Sequence, residues 1–220
     1  MKEISMTDTQ SLPSLAGTPF TPRHAQLNRS SMWSDWMNGL TIFVRPADFG
    51  NHEAAVTAMR QRAILEDKSP LSKYFFTGPD AAAFLQQLII RDINTWDVGQ
   101  SKYIVFCNED GRVIIDGVLF RFTEDSYCYT SGPMDNWFEK HRKEFDVEIE
   151  DASADWGNLH VQGPAAFDII ADATGQDWSG MKFGRSAQTK IAGVGVWLWR
   201  VGFGGERGFE VWVPTEGALP

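Results

Sequence analysis

Two carboxylates stand where strand geometry makes a carboxylate conspicuous. The run Val113-Ile114-Ile115-Asp116-Gly117-Val118-Leu119-Phe120-Arg121-Phe122 reads as a β-strand, and alternate strand residues share a face. Asp116 is therefore expected among Ile114, Val118, Phe120 and Phe122. A carboxylate on an apolar face is costly unless it is paired, hydrogen-bonded or at a cavity rim, and functional carboxylates are found at such positions. The plainer alternative is a strand-end carboxylate held by turn amides, and the residues alone divide evenly between the two. Glu210, in Gly208-Phe209-Glu210-Val211-Trp212-Val213, is a weaker case. Phe209, Val211 and Val213 face one way, so Glu210 and Trp212 read as a solvated face. A carboxylate beside a large aromatic also suits a flat heterocycle carrying amino N–H groups, but parity alone favours the solvated face.

Other chemistries lack their residues. His24, His52, His141 and His160 are scattered without metal-ligand spacing and are expected on the surface or in the core. Cys107 and Cys128 form no Cys-x-x-Cys pair and fall inside strand-like runs, where thiols are usually inert packing residues. Ser69 is not in a nucleophile elbow. Gly202, Gly204, Gly205 and Gly208 do not have dinucleotide-fingerprint spacing, and no βαβ unit surrounds them.

The elements that must position Asp116 and Glu210 form an α+β pattern. The periodicity predicts helices over 53–62 and 80–90, the second with Asp80 as its cap. Two strands, 103–107 and 113–122, flank the turn Asn108-Glu109-Asp110-Gly111, and 127–130 continues the meander. A helix follows over 132–142, then short strands at 147–149 and 159–161, and a helix over 164–173 that opens on proline. Strands are expected at 71–77, 190–191, 194–201 and 209–213. The Trp-rich stretch 32–37 is expected to pack down, and residues 1–20, polar and rich in Ser, Thr and Pro, to be poorly ordered. Residues 215–220 read as the start of a further helix, so a truncated chain is expected.

The chain has 220 residues, enough for one large domain or two intimately packed subdomains. Aromatics reach 13%, with 9 Trp and 15 Phe, which rules out disorder of the whole chain. With 20 Lys+Arg against 29 Asp+Glu the net charge is -9. No basic run supplies a nucleic-acid face, and an acidic surface suits anionic membranes poorly. No apolar stretch approaches the ~20 residues of a membrane span, and the first residues lack a signal-peptide core. These features favour a cytoplasmic protein with reduced thiols, no nucleic acid and no membrane partner.

Five segments, in register, carry a resemblance. They are Ala63-Ile64-Leu65-Glu66-Asp67-Lys68-Ser69-Pro70, Thr77-Gly78-Pro79-Asp80-Ala81, Cys107-Asn108-Glu109-Asp110-Gly111-Arg112-Val113-Ile114-Ile115-Asp116, Val161-Gln162-Gly163-Pro164-Ala165 and Gly205-Glu206-Arg207-Gly208-Phe209-Glu210. Together the chain resembles the folate-binding T-protein (aminomethyltransferase) family of the glycine cleavage system, which also holds dimethylglycine and sarcosine enzymes and tetrahydrofolate-dependent demethylases. The resemblance implies the α+β T-protein fold over 21–220, with the family's C-terminal barrel missing. It implies tetrahydrofolate as cofactor, Asp116 as the catalytic carboxylate at the reactive end, and Tyr103 lining the same pocket. Glu210 would grip the pterin N–H groups, and Phe203 would stand where the family has a tyrosine. The implied partners are a small methyl or aminomethyl donor and a lipoyl carrier protein.

The chain departs from the typical family pattern. Asp67-Lys68-Ser69-Pro70-Leu71 replaces Asp-Val-Ser-His-Met, and Ser131-Gly132-Pro133 replaces Val-Asn-Ala. These forms resemble the tetrahydrofolate-dependent O-demethylases of methoxylated aromatics, and the expectation leans to methyl removal, with glycine cleavage as the alternative. A non-catalytic folate-binding module is the rival from another class. No signature cysteine motif of the kind found in relatives that act in iron–sulfur assembly surrounds Cys107 or Cys128. The chain by itself is expected to be inactive and to self-associate.

Overall fold

Alternating runs of apolar and polar residues fold into three sheets in the computed structural model, which describes residues 14–219. The order is β1 (Ser14–Ala16), α1 (Thr21–Leu27), β2 (Trp33–Asn38), β3 (Thr41–Pro46), α2 (His52–Gln61), β4 (Ile64–Asp67), β5 (Ser72–Thr77) and α3 (Ala81–Leu88). It continues with β6 (Ser101–Cys107), β7 (Val113–Arg121), β8 (Ser126–Ser131), α4 (Asp135–Arg142), β9 (Glu148–Asp151), β10 (Trp156–Gln162) and α5 (Ala166–Thr174). The last strands are β11 (Ser186–Ile191), β12 (Val194–Trp199) and β13 (Gly208–Pro214), followed by a single 3₁₀ turn at Thr215–Gly217 where a helix was expected to begin. The small sheet orders β1-β3-β2, with β1 parallel to β3. The two large sheets order β11-β12-β13-β10-β4 and β6-β7-β8-β5-β9, and every pairing within them is antiparallel.

Period-2 alternation gives each large sheet two different faces. On the outer face of the β6–β9 sheet, Tyr74, Phe76, Phe106 and Tyr129 pack with Phe84 of α3 and Phe138 of α4. On the outer face of the other sheet, Phe209, Val211 and Val213 pack with Ala166 and Ile170 of α5. The inner faces meet through aromatics: Phe120, Phe122 and Cys128 lie against Trp199, Trp212 and Val201. The result is a helix–sheet–sheet–helix stack, an α+β architecture whose inner seam holds the chemistry.

Local signals explain the best-read elements. Asn51 accepts from the Ala54 amide and starts α2. Gly111 adopts φ +73, the left-handed turn geometry that joins β6 to β7. Asp80 does not cap α3 with its side chain as expected; its carboxylate accepts instead from the Asp146 amide at 2.9 Å, tying α3 to the start of β9. The helix expected from 132 begins only at Asp135. The expected poorly ordered segment 1–20 lies, up to residue 13, outside the described residues; beyond it Ser14–Ala16 pair with β3, and Phe20 is buried. No helix among the described residues is long and apolar enough to cross a membrane.

Candidate functional site

The inner seam changes character along its length. At one end the sheets are closed by Trp197, Trp199, Trp212, Phe120 and Phe122, with ring centroids 4.6–5.9 Å apart. At the other end the inward positions become polar, and a cleft of about 640 Å³ opens between the two large sheets and the small one. Asp116 of β7, Tyr103 of β6, Glu210 of β13 and Phe203 of the β12–β13 loop all line this one cleft. The two carboxylates that strand parity raised and the two aromatics that the resemblance implied thus line one cleft.

Asp116 is exposed at the cleft wall rather than sunk in an apolar face. It takes the rim position among the options that strand parity left open. The Tyr103 hydroxyl donates to its Oδ2 at 2.7 Å, and the Tyr129 hydroxyl donates to its backbone carbonyl at 3.0 Å. That hydrogen bond to the carboxylate raises the Tyr103 phenol above its ordinary pKa, because ionisation would set two negative charges together. Tyr103 therefore stays a donor and holds one oxygen of Asp116 in place. Gly117 follows for a steric reason: a Cβ there would lie 2.4 Å from the Tyr129 ring and 2.5 Å from the Thr130 carbonyl oxygen. The close approach of β7 to β8 that places Asp116 needs that glycine.

Glu210 corrects the solvated-face expectation. Its neighbour Trp212 is fully buried, because the face they share is the inner seam and not the surface. Glu210 Oε2 accepts from Asn158 Nδ2 and from Trp212 Nε1, both at 2.9 Å. These donors fix the carboxylate, and Oε1 has no donor among the described residues. Phe203 is 83% exposed on the Gly202–Arg207 loop. Arg60 anchors that loop from α2 through the Gly204 carbonyl at 2.8 Å and Glu206 at 2.9 Å.

Several residues of the site carry no clear sequence signal. Lys68 is buried, paired with Glu66 at 2.8 Å, and its Nζ lies 4.6 Å from the centre of the Phe203 ring and 5.6 Å from that of Trp36. Glu66, His160 and Glu210 stand side by side on β4, β10 and β13. His160 is fully buried and neither ring nitrogen has a hydrogen-bond partner among the described residues. Burial lowers its pKa, opposed by the charge of Glu210, so the ring is neutral at pH 7. The alternation Asn158-x-His160-x-Gln162 within β10 was the available signal, but a polar face on a strand more often faces water.

The turn 67–71 joins the three sheets. Lys73, fully buried on β5, donates to the carbonyls of Ser69 at 2.9 Å and Leu71 at 2.8 Å, while Asn38 of β2 donates to the Pro70 carbonyl at 2.7 Å. The turn thereby presents Lys68 and Leu71 to the cleft. Beneath it Cys128 is buried, and burial pushes its thiol well above the usual value. Cys107 ends β6 and is partly exposed, contrary to the expectation of two buried thiols. Among the described residues no cluster of His, Cys, Asp and Glu could hold a metal.

Two stacked antiparallel-rich sheets with helices outside and a carboxylate-lined cleft inside define an α+β protein with its site in the inter-sheet seam. Residues 26–220 match the model of the GCVT N-terminal domain, and the chain belongs to that family, the T-protein family that the sequence segments resemble. It is 34% identical over 180 residues to an aminomethyltransferase of Exiguobacterium sibiricum, covering 80% of this chain and 50% of that protein. The fold is similar to the crystal structure of glycine cleavage system aminomethyltransferase T from Bartonella henselae. That match has a TM-score of 0.80 at 23% identity and covers 93% of this chain and 55% of that one. The chain thus spans about half the length of both relatives.

Proposed function

We propose that the cleft binds tetrahydrofolate and that the protein transfers a one-carbon unit to it. The observation that supports this most is the convergence of Tyr103, Asp116, Phe203 and Glu210, from four separate segments, on one cleft. A pterin carries N–H donors on one edge, and a carboxylate whose Oε2 is held by two internal donors keeps Oε1 oriented to accept from that edge. The aromatic surface of Phe203 and Trp36 gives the ring a flat wall. Tetrahydrofolate, when bound, supplies the nucleophilic nitrogen that accepts the carbon. Asp116, oriented by Tyr103, stabilises positive charge as it develops at that nitrogen and holds the proton it releases.

For the donor, the glycine-cleavage type of reading carries more support than O-demethylation of a methoxylated aromatic. Both relatives are named aminomethyltransferases. The cleft also sets Asp35, Glu66, Asp116 and Glu210 against Lys68 and Arg45, an acidic balance that suits an aminomethyl group better than an aromatic acid. In this reading the donor arrives on a lipoyl carrier protein. Calorimetric titration with tetrahydrofolate tests the site. Wild type binds and Glu210→Ala weakens binding at least tenfold; equal affinity of the two proteins would remove Glu210 from the site. Product analysis with an aminomethyl-lipoyl carrier, dimethylglycine and vanillate separates the donors, and turnover of vanillate alone would restore the demethylase reading.

A further inference from the structure

We infer that Arg60, which stands on α2 outside the cleft, is a positioning residue of the site: it holds Phe203 at the cleft wall, so that the grip on a flat ring is set from the far side of the β12–β13 loop. Its effect on ligand rests on the folate reading of the cleft.

Phe203 needs such a hold. Its ring is 83% exposed and rests on the Lys68 ammonium, 4.6 Å from the ring centre. An aromatic wall with so little packed behind it owes its place to its backbone. That backbone runs through Gly202, Gly204 and Gly205, the residue type with the widest conformational freedom. Yet the peptides around Gly204 are gripped from two sides. The Gly204 amide donates to Gln162 Oε1 at 3.0 Å, its carbonyl accepts from Arg60 Nη1 at 2.8 Å, and the same Nη1 reaches Glu206 Oε1 at 2.9 Å. The close approach requires glycine, since a Cβ on Gly204 would lie 2.7 Å from Gln162 Oε1 and 3.2 Å from Met59 Sδ of α2.

Behind the loop the contacts close on themselves. Gln162 is buried and its Nε2 donates to Glu66 Oε2 at 3.5 Å; Glu66 pairs with Lys68 at 2.8 Å, and Lys68 returns to the Phe203 ring. Arg60 enters this circuit from the surface, with its side chain 52% exposed. A surface ion pair of that kind contributes little to global stability. Its value lies in ordering a glycine-rich loop before the ligand arrives, which spares that loss of freedom on binding.

Two measurements test the inference. The first needs no ligand: amide hydrogen exchange across residues 202–207. Arg60→Gln should speed exchange in this segment by about tenfold or more and leave β12 and β13 unchanged; an unchanged loop overturns the inference. The second is calorimetric titration with 5-formyltetrahydrofolate. Arg60→Gln should bind about tenfold more weakly than wild type with the same melting curve, and Arg60→Lys, which keeps the charge opposite Glu206, should fall between them. The double variant Arg60→Gln/Phe203→Ala should bind no more weakly than Phe203→Ala alone, because both changes remove one wall. Additive losses, or a loosened loop that binds as wild type does, overturn the positioning role. A loosened loop in Arg60→Gln together with no binding by wild type overturns the folate reading, and the effect of Arg60 on that ligand with it.

Discussion

The two ends of the inner seam are built from the same strands and differ in almost every physical respect. At the closed end, Phe120 of β7 meets Trp199 and Trp212 edge-to-face or tilted, with centroids 4.6 and 5.0 Å apart, and leaves no room for solvent. Four residues earlier on the same face of β7, Asp116 stands exposed at the cleft. On β13 the change takes one step of the alternation, from buried Trp212 to cleft-lining Glu210. The cleft is thus not an interruption of the core but its continuation with shorter, charged side chains. Trp212 belongs to both ends: its ring packs the closed end and its Nε1 orients Glu210.

The largest effect is expected from breaking the closed end. Trp212→Ala removes a fully buried ring and should destabilise by about 3–5 kcal/mol in urea unfolding; a loss below about 1 kcal/mol would mean that the seam is not a packed core. Next comes the buried cation beneath the polar end. Burial pulls Lys73 down to about 8 from 10.5, opposed by the nearby negative charges of Glu210, Asp67 and Asp151. Between about pH 8 and 10.5 the unfolded chain therefore holds more protons than the folded one, and this group makes stability rise with pH, by about 3 kcal/mol over the window. The difference between wild type and Lys73→Met, measured by denaturation at pH 7.5 and 10, should show that rise; a difference independent of pH would contradict it.

Two smaller effects sharpen the polar end. Asp116→Asn should lower the single-turnover rate about 100-fold with folate affinity changed little, since the contribution lies in charge that develops during transfer. An unchanged rate would make Asp116 a mere wall residue. Tyr103→Phe should cost about tenfold in rate, since Asp116 loses the donor that orients it, and leave stability within about 0.5 kcal/mol, as befits an exposed hydroxyl. A stability loss with an unchanged rate would make Tyr103 structural only.

These effects also mark what the sequence could and could not disclose. The β6–β7 hairpin was legible because period-2 alternation and a Gly at a left-handed turn agree, and strand parity alone singled out Asp116. Glu210 was misjudged from parity because alternation says which residues share a face and not which face is covered; a second sheet buries the face that looked solvated. The strands β3 and β4 were missed for a related reason. Thr41–Pro46 and Ile64–Asp67 are short, and their identity comes from pairing: the first with Trp33–Asn38 across a two-residue turn and with Ser14–Ala16 further back, the second with Trp156–Gln162, distant in sequence. Lys68 and His160 became part of the site only through those pairings, since their cleft neighbours come from β2, β13 and the β12–β13 loop.

The central claim is that Glu210, fixed by Asn158 and Trp212, recognises the amino-bearing edge of a pterin. A double cycle of ligand and protein tests it most directly: 5-formyltetrahydrofolate and its 2-desamino analogue, each titrated against wild type and Glu210→Gln. Removing the amino group should weaken binding to wild type by about 10- to 100-fold, the range of a charge-assisted hydrogen bond, and weaken binding to Glu210→Gln far less. Equal loss in both proteins would contradict the claim.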